Sequence, residues 1–262
     1  MFLQSITWWF QSFLAALPVL LPRWAIAWVF SFVLLVYAFR ALKPHVRPHA
    51  LRIDDRVRAW AKGLRYYPIV EQTEPATVTE RVWLTWFFRF WTNFASAPSL
   101  SFFSLVVPIW IFHQSRVTGL SVIDAELARE FHFRATDWWL LPGLCYAGSM
   151  LLSYVVKRVF KRLRPPIEKG AFGHKLIKDP SFPSGHSLTS FCFWSMMTVS
   201  VFHSGVALGA GILFACLAVV IVALTGLSRL YLAVHFPSDV AGGYTIGLVW
   251  TVVCYFALRG VL

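Results

Sequence analysis

The chain has 262 residues, 58% of them apolar and only 14% charged, with 13 Trp, 24 Phe, 8 Tyr and a net charge of +12. A soluble domain carries roughly a quarter charged residues, so this composition excludes an ordinary soluble enzyme and implies an integral membrane protein. The excess cations sit between apolar runs, where anionic lipid is their natural counterpart, and nothing in their placement calls for nucleic acid.

Residues 1–23 are apolar up to Pro22-Arg23, which leaves too little room for a turn between two full spans. They lack the basic start and small-residue cleavage site of a signal peptide. The expectation is a separate N-terminal helix lying in the interface, with Trp8 and Trp9 at headgroup level, or else a re-entrant hairpin. The first span is read at 24–39, near the ~20 residues a bilayer requires. A long connection, 40–85, carries mixed charge, and within it Val57, Trp60, Ala61 and Leu64 recur at three- and four-residue spacing, the mark of an interfacial helix. Further spans are read at 90–112, bent at Pro98 and Pro108, at 138–156, at 187–202, at 205–227 and at 240–258. Lipid offers no water to the backbone, so each must be a helix. The expected fold is all-α: a six-transmembrane-helix bundle over residues 24–262, preceded by the interfacial segment. Gly205, Gly209, Gly211, Gly242, Gly243 and Gly247 would let helices approach closely. Cys145, Cys192, Cys216 and Cys254 fall inside the spans, without zinc spacing, and read as packing residues.

Polar chemistry gathers in three connections. In "KRVFKRLRPP" (157–166), five cations fall within 157–164. Lys157, Lys161 and Arg164 are spaced at four and three, so one helix face would carry them until Pro165 ends the helix. A basic flank that binds headgroups would look similar; an oxyanion site is the sharper reading. In "FPSGHSLTSF" (182–191), Ser184 suits an N-cap, Gly185 has no side chain to obstruct a ligand, and the helix start favours an anion beside His186. In "SRLYLAVHFPSD" (228–239), Arg229 is followed by His235 and Asp239, with Pro237 opening the next helix. A carboxylate on one imidazole nitrogen leaves the other free and basic, which prepares a nucleophile. If each segment crosses once, the three connections emerge on one face.

Together, Lys157…Arg164-Pro165, Pro183-Ser184-Gly185-His186 and Ser228-Arg229…His235…Asp239 resemble the three signature motifs of the type 2 phosphatidic acid phosphatase superfamily, over about residues 85–260. The resemblance implies a metal- and cofactor-independent lipid phosphatase. By it, His235 is the nucleophile, Asp239 orients it, and His186 protonates the leaving oxygen. Lys157, Arg164, Ser184, Gly185 and Arg229 would hold the phosphate. The expected partners are a phosphorylated lipid and the bilayer, with no obligate protein partner. A phosphotransferase using the same phosphohistidine is the alternative. A vanadate haloperoxidase is disfavoured by the apolar spans, and a non-catalytic relative by the intact motifs. Only Glu168, Asp179 and Asp239 lie near the motifs in sequence, too scattered for a two-metal centre. The resemblance places the site on the periplasmic or extracellular face of a bacterial inner membrane. The count of cations argues the reverse, with eight in 43–83 (Lys43, Arg47, Arg52, Arg56, Arg58, Lys62, Arg65, Arg81) against Arg23, Arg116, Arg129, Arg134 and Arg259 opposite.

Overall fold

The computed structural model describes residues 2–68, 78–118, 140–165, 179–203 and 207–259. Seven helices lie among them: α1 (Phe2–Arg65), α2 (Val82–Asn93), α3 (Ala97–Thr118), α4 (Leu141–Phe160), α5 (Gly185–His203), α6 (Leu208–Tyr231) and α7 (Pro237–Leu258). The all-α expectation needs one addition. Short strands β1 (Tyr66–Pro68) and β2 (Val78–Glu80) pair antiparallel, Tyr66 opposite Glu80, inside the 40–85 connection.

Among the described residues, three helical stretches are long and apolar enough to cross a membrane: Leu17–Leu42, Leu208–Tyr231 and Pro237–Leu258. The expected count of six is therefore not reached on length and hydropathy. α4 and α5 fall short because of their polar residues. They bury Ser149, Ser153, Ser187, Ser190 and Ser200 against neighbouring helices, where hydroxyls are tolerated, and so carry less hydropathy than a lipid-facing span.

α1 corrects the expectation for the N-terminus. It is one helix of 64 residues that runs through Pro18, Pro22, Pro44 and Pro48, so there is neither a hairpin nor a backbone break at residue 23. Leu20 is buried in the same cluster as Ala27 and Leu35 of the span, which ties the first segment to the bundle. The side chains of Trp8 and Trp9 lie outside the described residues. The expected span 90–112 is also interrupted. α2 ends at Asn93 and α3 starts at Ala97, because Ser96 caps the new helix by accepting the Ser99 N–H (3.4 Å) and Pro98 suits a first turn. Trp194 Nε1–H donates to the carbonyl of Phe94 at that break (3.2 Å).

The central packing joins α1, α4, α5 and α7. Leu141, Cys145, Leu152 and Val156 of α4 meet Leu188, Cys192 and Met196 of α5 and Ile246, Trp250 and Cys254 of α7. Three indoles lock this layer onto the α4 backbone. Trp24 donates to Leu144 O (3.1 Å), Trp28 to Gly148 O (3.1 Å) and Trp250 to Cys145 O (2.7 Å). A tryptophan in a dry core needs such an acceptor, and the contacts set the depth of α1 and α7 against α4. The small-residue expectation holds at Gly242, against Phe182, and at Gly247, against Phe191, whereas Gly209 faces open space and Gly205 lies outside the described residues.

A very close approach is at Gly148, where a Cβ would land in the Trp250 ring. Overpacking of this kind costs about 1–3 kcal/mol. Gly148→Ala should lower the thermal midpoint of the purified protein by several degrees, while Gly209→Ala, with nothing to meet, should leave it in place.

Candidate active site

α4 does not carry the three cations on one face as expected. It ends at Phe160, and Lys161 takes a left-handed conformation (φ 45°, ψ 34°) with its N–H on Lys157 O. This is a helix-terminating geometry. It comes four residues before Pro165 because Arg162 and Arg164 are drawn toward the other two motif segments. Ser181 N–H donates to Arg162 O (2.7 Å) and Ser184 N–H to Asp239 O (3.0 Å). These two backbone bonds stitch the three segments together at one end of the bundle. Ser184 caps α5 as anticipated: Ser187 N–H (3.4 Å) and Ser187 Oγ–H (2.8 Å) both donate to its Oγ. Gly185 leaves room beside Ser153, whose Oγ would stand 3.2 Å from an added Cβ.

His235 sits just before α7 and Asp239 in its first turn, and both are buried. His235 Nδ1 lies 3.5 Å from Asp239 Oδ2 and 3.5 Å from Ser181 Oγ. The same Oδ2 accepts the Phe236 N–H (2.9 Å) and the Ser181 hydroxyl. On the other side of the ring, Arg164 Nη1 is 3.3 Å from Nε2. A guanidinium can only donate. Nε2 is therefore the lone-pair nitrogen, and the ring proton is on Nδ1, facing the carboxylate. Burial pushes the His235 pKa down to about 4, with the Arg164 and Arg229 charges adding to the effect and Asp239 opposing it. The ring is neutral near pH 7, with the Nε2 lone pair turned to Arg164.

The remaining expected residues lie at the same end of the bundle. Arg164 is fixed by Asp179 O (2.8 Å at Nε) and Val234 O (2.9 Å at Nη1). Arg229, at the end of α6, donates to Ser228 Oγ (3.2 Å) and to Thr92 Oγ1 of α2. Lys157 pairs with Asp179. His186 stands in the field of Arg229, His235, Lys157 and Arg164. A groove of about 370 Å³ is lined at its polar end by Lys157, Asp179, Gly185 and His186, and continues past Ser153 and Tyr154 to Met150 and Tyr146.

Several neighbours of the site escaped sequence reasoning. Arg162, counted only as part of a basic flank, donates to Asp239 Oδ1 (2.8 Å) and to Asp54 Oδ2 (2.8 Å). Asp54 is a carboxylate beyond the three expected near the motifs, of which Glu168 lies outside the described residues. Its signal was present: Asp54 falls three residues before Val57, on the side of the amphipathic stretch that the structure buries with Ala61, while Trp60 is exposed.

Residues 138–260 match the PAP2 superfamily. Phosphatidylglycerophosphatase B of Bacillus subtilis is 33% identical over 135 residues, 50% of this chain and 61% of its own length. Decaprenylphosphoryl-5-phosphoribose phosphatase of Mycobacterium tuberculosis is 32% identical over 109 residues, 42% of this chain and 55% of its own. The chain thus spans less than two thirds of these curated relatives. The crystal structure of a transmembrane PAP2-type phosphatidylglycerolphosphate phosphatase from Bacillus subtilis aligns with a TM-score of 0.54 and 26% identity, covering 88% of this chain and 97% of that one.

The buried neutral ring has a consequence for titration. In the ligand-free protein, carbon-13 histidine NMR should place His235 near 4 rather than at the ordinary ~6.5. Asp239→Asn removes the charge favouring the imidazolium and should lower it further. Between about 6.5 and 4 only the unfolded chain takes up this proton, so the contribution of His235 to stability is lost as pH falls through that window. A His235 resonance titrating at ~6.5 would contradict the burial.

Proposed function

Because residues 138–260 belong to the PAP2 superfamily, we propose that this chain is an integral membrane phosphatase that removes phosphate from a lipid phosphate or diphosphate through a phosphohistidine, without a metal. The observation that carries the reading is the state of His235: Nε2 unprotonated, Nδ1 backed by Asp239, and Arg164 waiting at the reactive nitrogen. Phosphoryl transfer is mostly positioning and neutralisation of the equatorial oxygens. Arg164, Arg229, Lys157 and the amides at the start of α5, around Ser184 and Gly185, supply that charge. Arginine matches the oxygens bidentately, and lysine acts as a point charge.

In the reaction, Arg164 passes from Nε2 to a phosphate oxygen. His186 takes up a proton as the phosphate dianion offsets the cations around it, and Nε2 attacks phosphorus as the ester oxygen departs with that proton. Asp239 stabilises the positive charge on the phosphorylated ring. Water, deprotonated by His186, then breaks the N–P bond and releases inorganic phosphate. Asp239 and Asp54 are both committed to Arg162, so the carboxylates at this end serve the protein's own cations. The groove suits a lipid: its cationic end takes the phosphate, and its Tyr146 and Met150 end takes a chain. The relatives' activities, on phosphatidylglycerophosphate and on a decaprenyl-linked phosphate, are of this substrate class.

Purified protein given a panel of lipid phosphates should release free phosphate, and His235→Ala should lose at least about 1,000-fold in kcat while remaining folded. Near-normal release by His235→Ala would sink the mechanism, and recovery of the phosphoryl group on a lipid acceptor instead of water would establish the transferase. Vanadate should inhibit and EDTA should not; activity abolished by EDTA and restored by Mg²⁺ would refute metal independence.

We place the site on the outer face, with α3, α4 and α5 also read as spans, giving six. The many cations of the 40–85 connection count little toward orientation if they lie along the surface as part of α1, whose buried residues there include Asp54 and Ala61. Leu163, 85% exposed on the site side, and Leu208, 69% exposed at the far end of α5 and α6, provide the test. With Cys216 replaced by Ala, since the other three cysteines are buried, an impermeant thiol reagent on intact cells should label Leu163→Cys and spare Leu208→Cys. The reverse pattern would put the site in the cytoplasm.

A further inference from the structure

We propose that Asp54 of α1 and Arg162 act as a positioning relay that holds the Asp239 carboxylate at the angle His235 requires, so that the N-terminal helix is part of the catalytic apparatus. The inference rests on the reading of His235 as nucleophile and adds two residues to it.

Asp54 is 1% exposed. A buried carboxylate costs several kcal/mol unless paired and hydrogen-bonded, and Asp54 is fully served. Its Oδ2 accepts from Arg162 Nη2 (2.8 Å) and Ser238 Oγ (2.7 Å), and its Oδ1 accepts the Ser238 N–H (2.9 Å). Arg162 completes the circuit from the other end of its fork. Nη1 donates to Asp239 Oδ1 (2.8 Å) and to Ser238 Oγ (2.6 Å), and the guanidinium stands 4.3 Å from the centre of the Phe236 ring. Ser238 thus donates once and accepts once, and its backbone N–H, one of the orphan donors at the start of α7, is satisfied by a residue of α1.

The consequence falls on Asp239. Its Oδ2 faces Ser181, the Phe236 N–H and His235 Nδ1, and its Oδ1 is taken by Arg162. With one oxygen held, the carboxylate cannot rotate to exchange oxygens without breaking an ion pair, and Oδ2 stays aimed at the imidazole. A single guanidinium bridges the two carboxylates with separate arms, which a lysine ammonium cannot reproduce. Arg162 is bound to Asp54, Asp239 and Ser238 in this way, which separates its part from that of Arg164, bound to His235. A plain docking contact between α1 and α7 would need Asp54 and Ser238 only; the extension through Arg162 onto Asp239 is what makes it a relay.

The test uses the full chain in lipid nanodiscs, with kcat and KM measured separately. Asp54→Asn, which keeps the shape, should lower kcat about ten-fold or more, because misplacement of about 1 Å costs up to about 100-fold, with KM held within about two-fold. Arg162→Gln should lower kcat at least as much, and the double variant should be no worse than Arg162→Gln alone. Asp55→Asn, at the exposed neighbour, should change nothing. Unaltered kcat in folded Asp54→Asn, or losses that multiply in the double variant, would overturn the relay. A docking role alone would lower the thermal midpoint without this pattern. If Asp54→Asn does not fold, Arg162→Lys carries the same test: kcat falls with KM held, or the relay is wrong. If the unmodified chain releases no phosphate, the functional reading fails and the relay is judged on the His235 resonance. Arg162→Gln lets Oδ2 swing away from Nδ1 and weakens the support of the imidazolium, so His235 should titrate at lower pH than in the unmodified chain, and an unmoved or raised titration would overturn the relay.

Discussion

A fully buried carboxylate, Asp239, is the constraint around which this end of the molecule is organised. An ionised carboxylate taken out of water must be paired and hydrogen-bonded or it unfolds the site. Asp239 finds its donors on three segments of the chain: Arg162 after α4, Ser181 before α5, and Phe236 and His235 beside α7. Each donor fixes the segment that bears it. Convergence of the three motif segments is therefore a requirement of satisfying one charge as much as it is a catalytic arrangement. The backbone repeats the pattern, because Asp239 O accepts the Ser184 N–H and Arg162 O accepts the Ser181 N–H.

Opposing charges set the chemistry of the same region. Arg164 and Arg229 close to His235 make a protonated ring unfavourable, and burial adds to the effect. The ligand-free site is thus a cluster of cations around a neutral imidazole, held together by backbone carbonyls and by Asp179. Such a cluster is electrostatically incomplete. In the proposed reaction the phosphate dianion supplies the missing charge, and the interaction of Arg164 with Nε2 is exchanged for one with a phosphate oxygen. Transition-state charge then develops among donors already in place, which is the economical way to stabilise it.

Much of this was legible in the sequence because the local rules are strong. Ser184 before Gly185, and Pro237 at the start of a helix, announce helix N-termini, and the structure puts α5 and α7 there. The spacing from His235 to Asp239 encodes a one-turn relationship. The end of α4 was not legible. Charge periodicity across 157–164 suggested a continued helix, yet tertiary bonds to Arg162 and Arg164 outweigh the few tenths of a kcal/mol that helix propensity offers per residue. Hydropathy over α4 and α5 falls short of a span for a local reason: each buries several serines against its neighbours. The continuity of α1 past residue 23 was hidden by Pro18 and Pro22, which read as breaks in water but are tolerated in helices within a membrane.

Asp54 shows where single-segment reading stops. On its own helix it is a carboxylate among Arg52, Arg56 and Arg58, and the economical interpretation is a solvated pair on a basic surface. Only the packing of α1 turns that face inward. The three indole bonds between α1, α7 and α4 set the helix depth, Phe39 rests on Phe160 and Phe182 just before the site, and Leu64 closes on Tyr231 and Val234 beyond it. Asp54 lies between these two anchor points and is delivered to Ser238 and Arg162 as a result. The hydrophobic register of one long helix thereby decides the hydrogen bonding of a carboxylate more than 180 residues away in sequence. The motifs lie entirely within residues 138–260, and Asp54, like Thr92 of α2 on Arg229, is a point where the other half of the chain meets them.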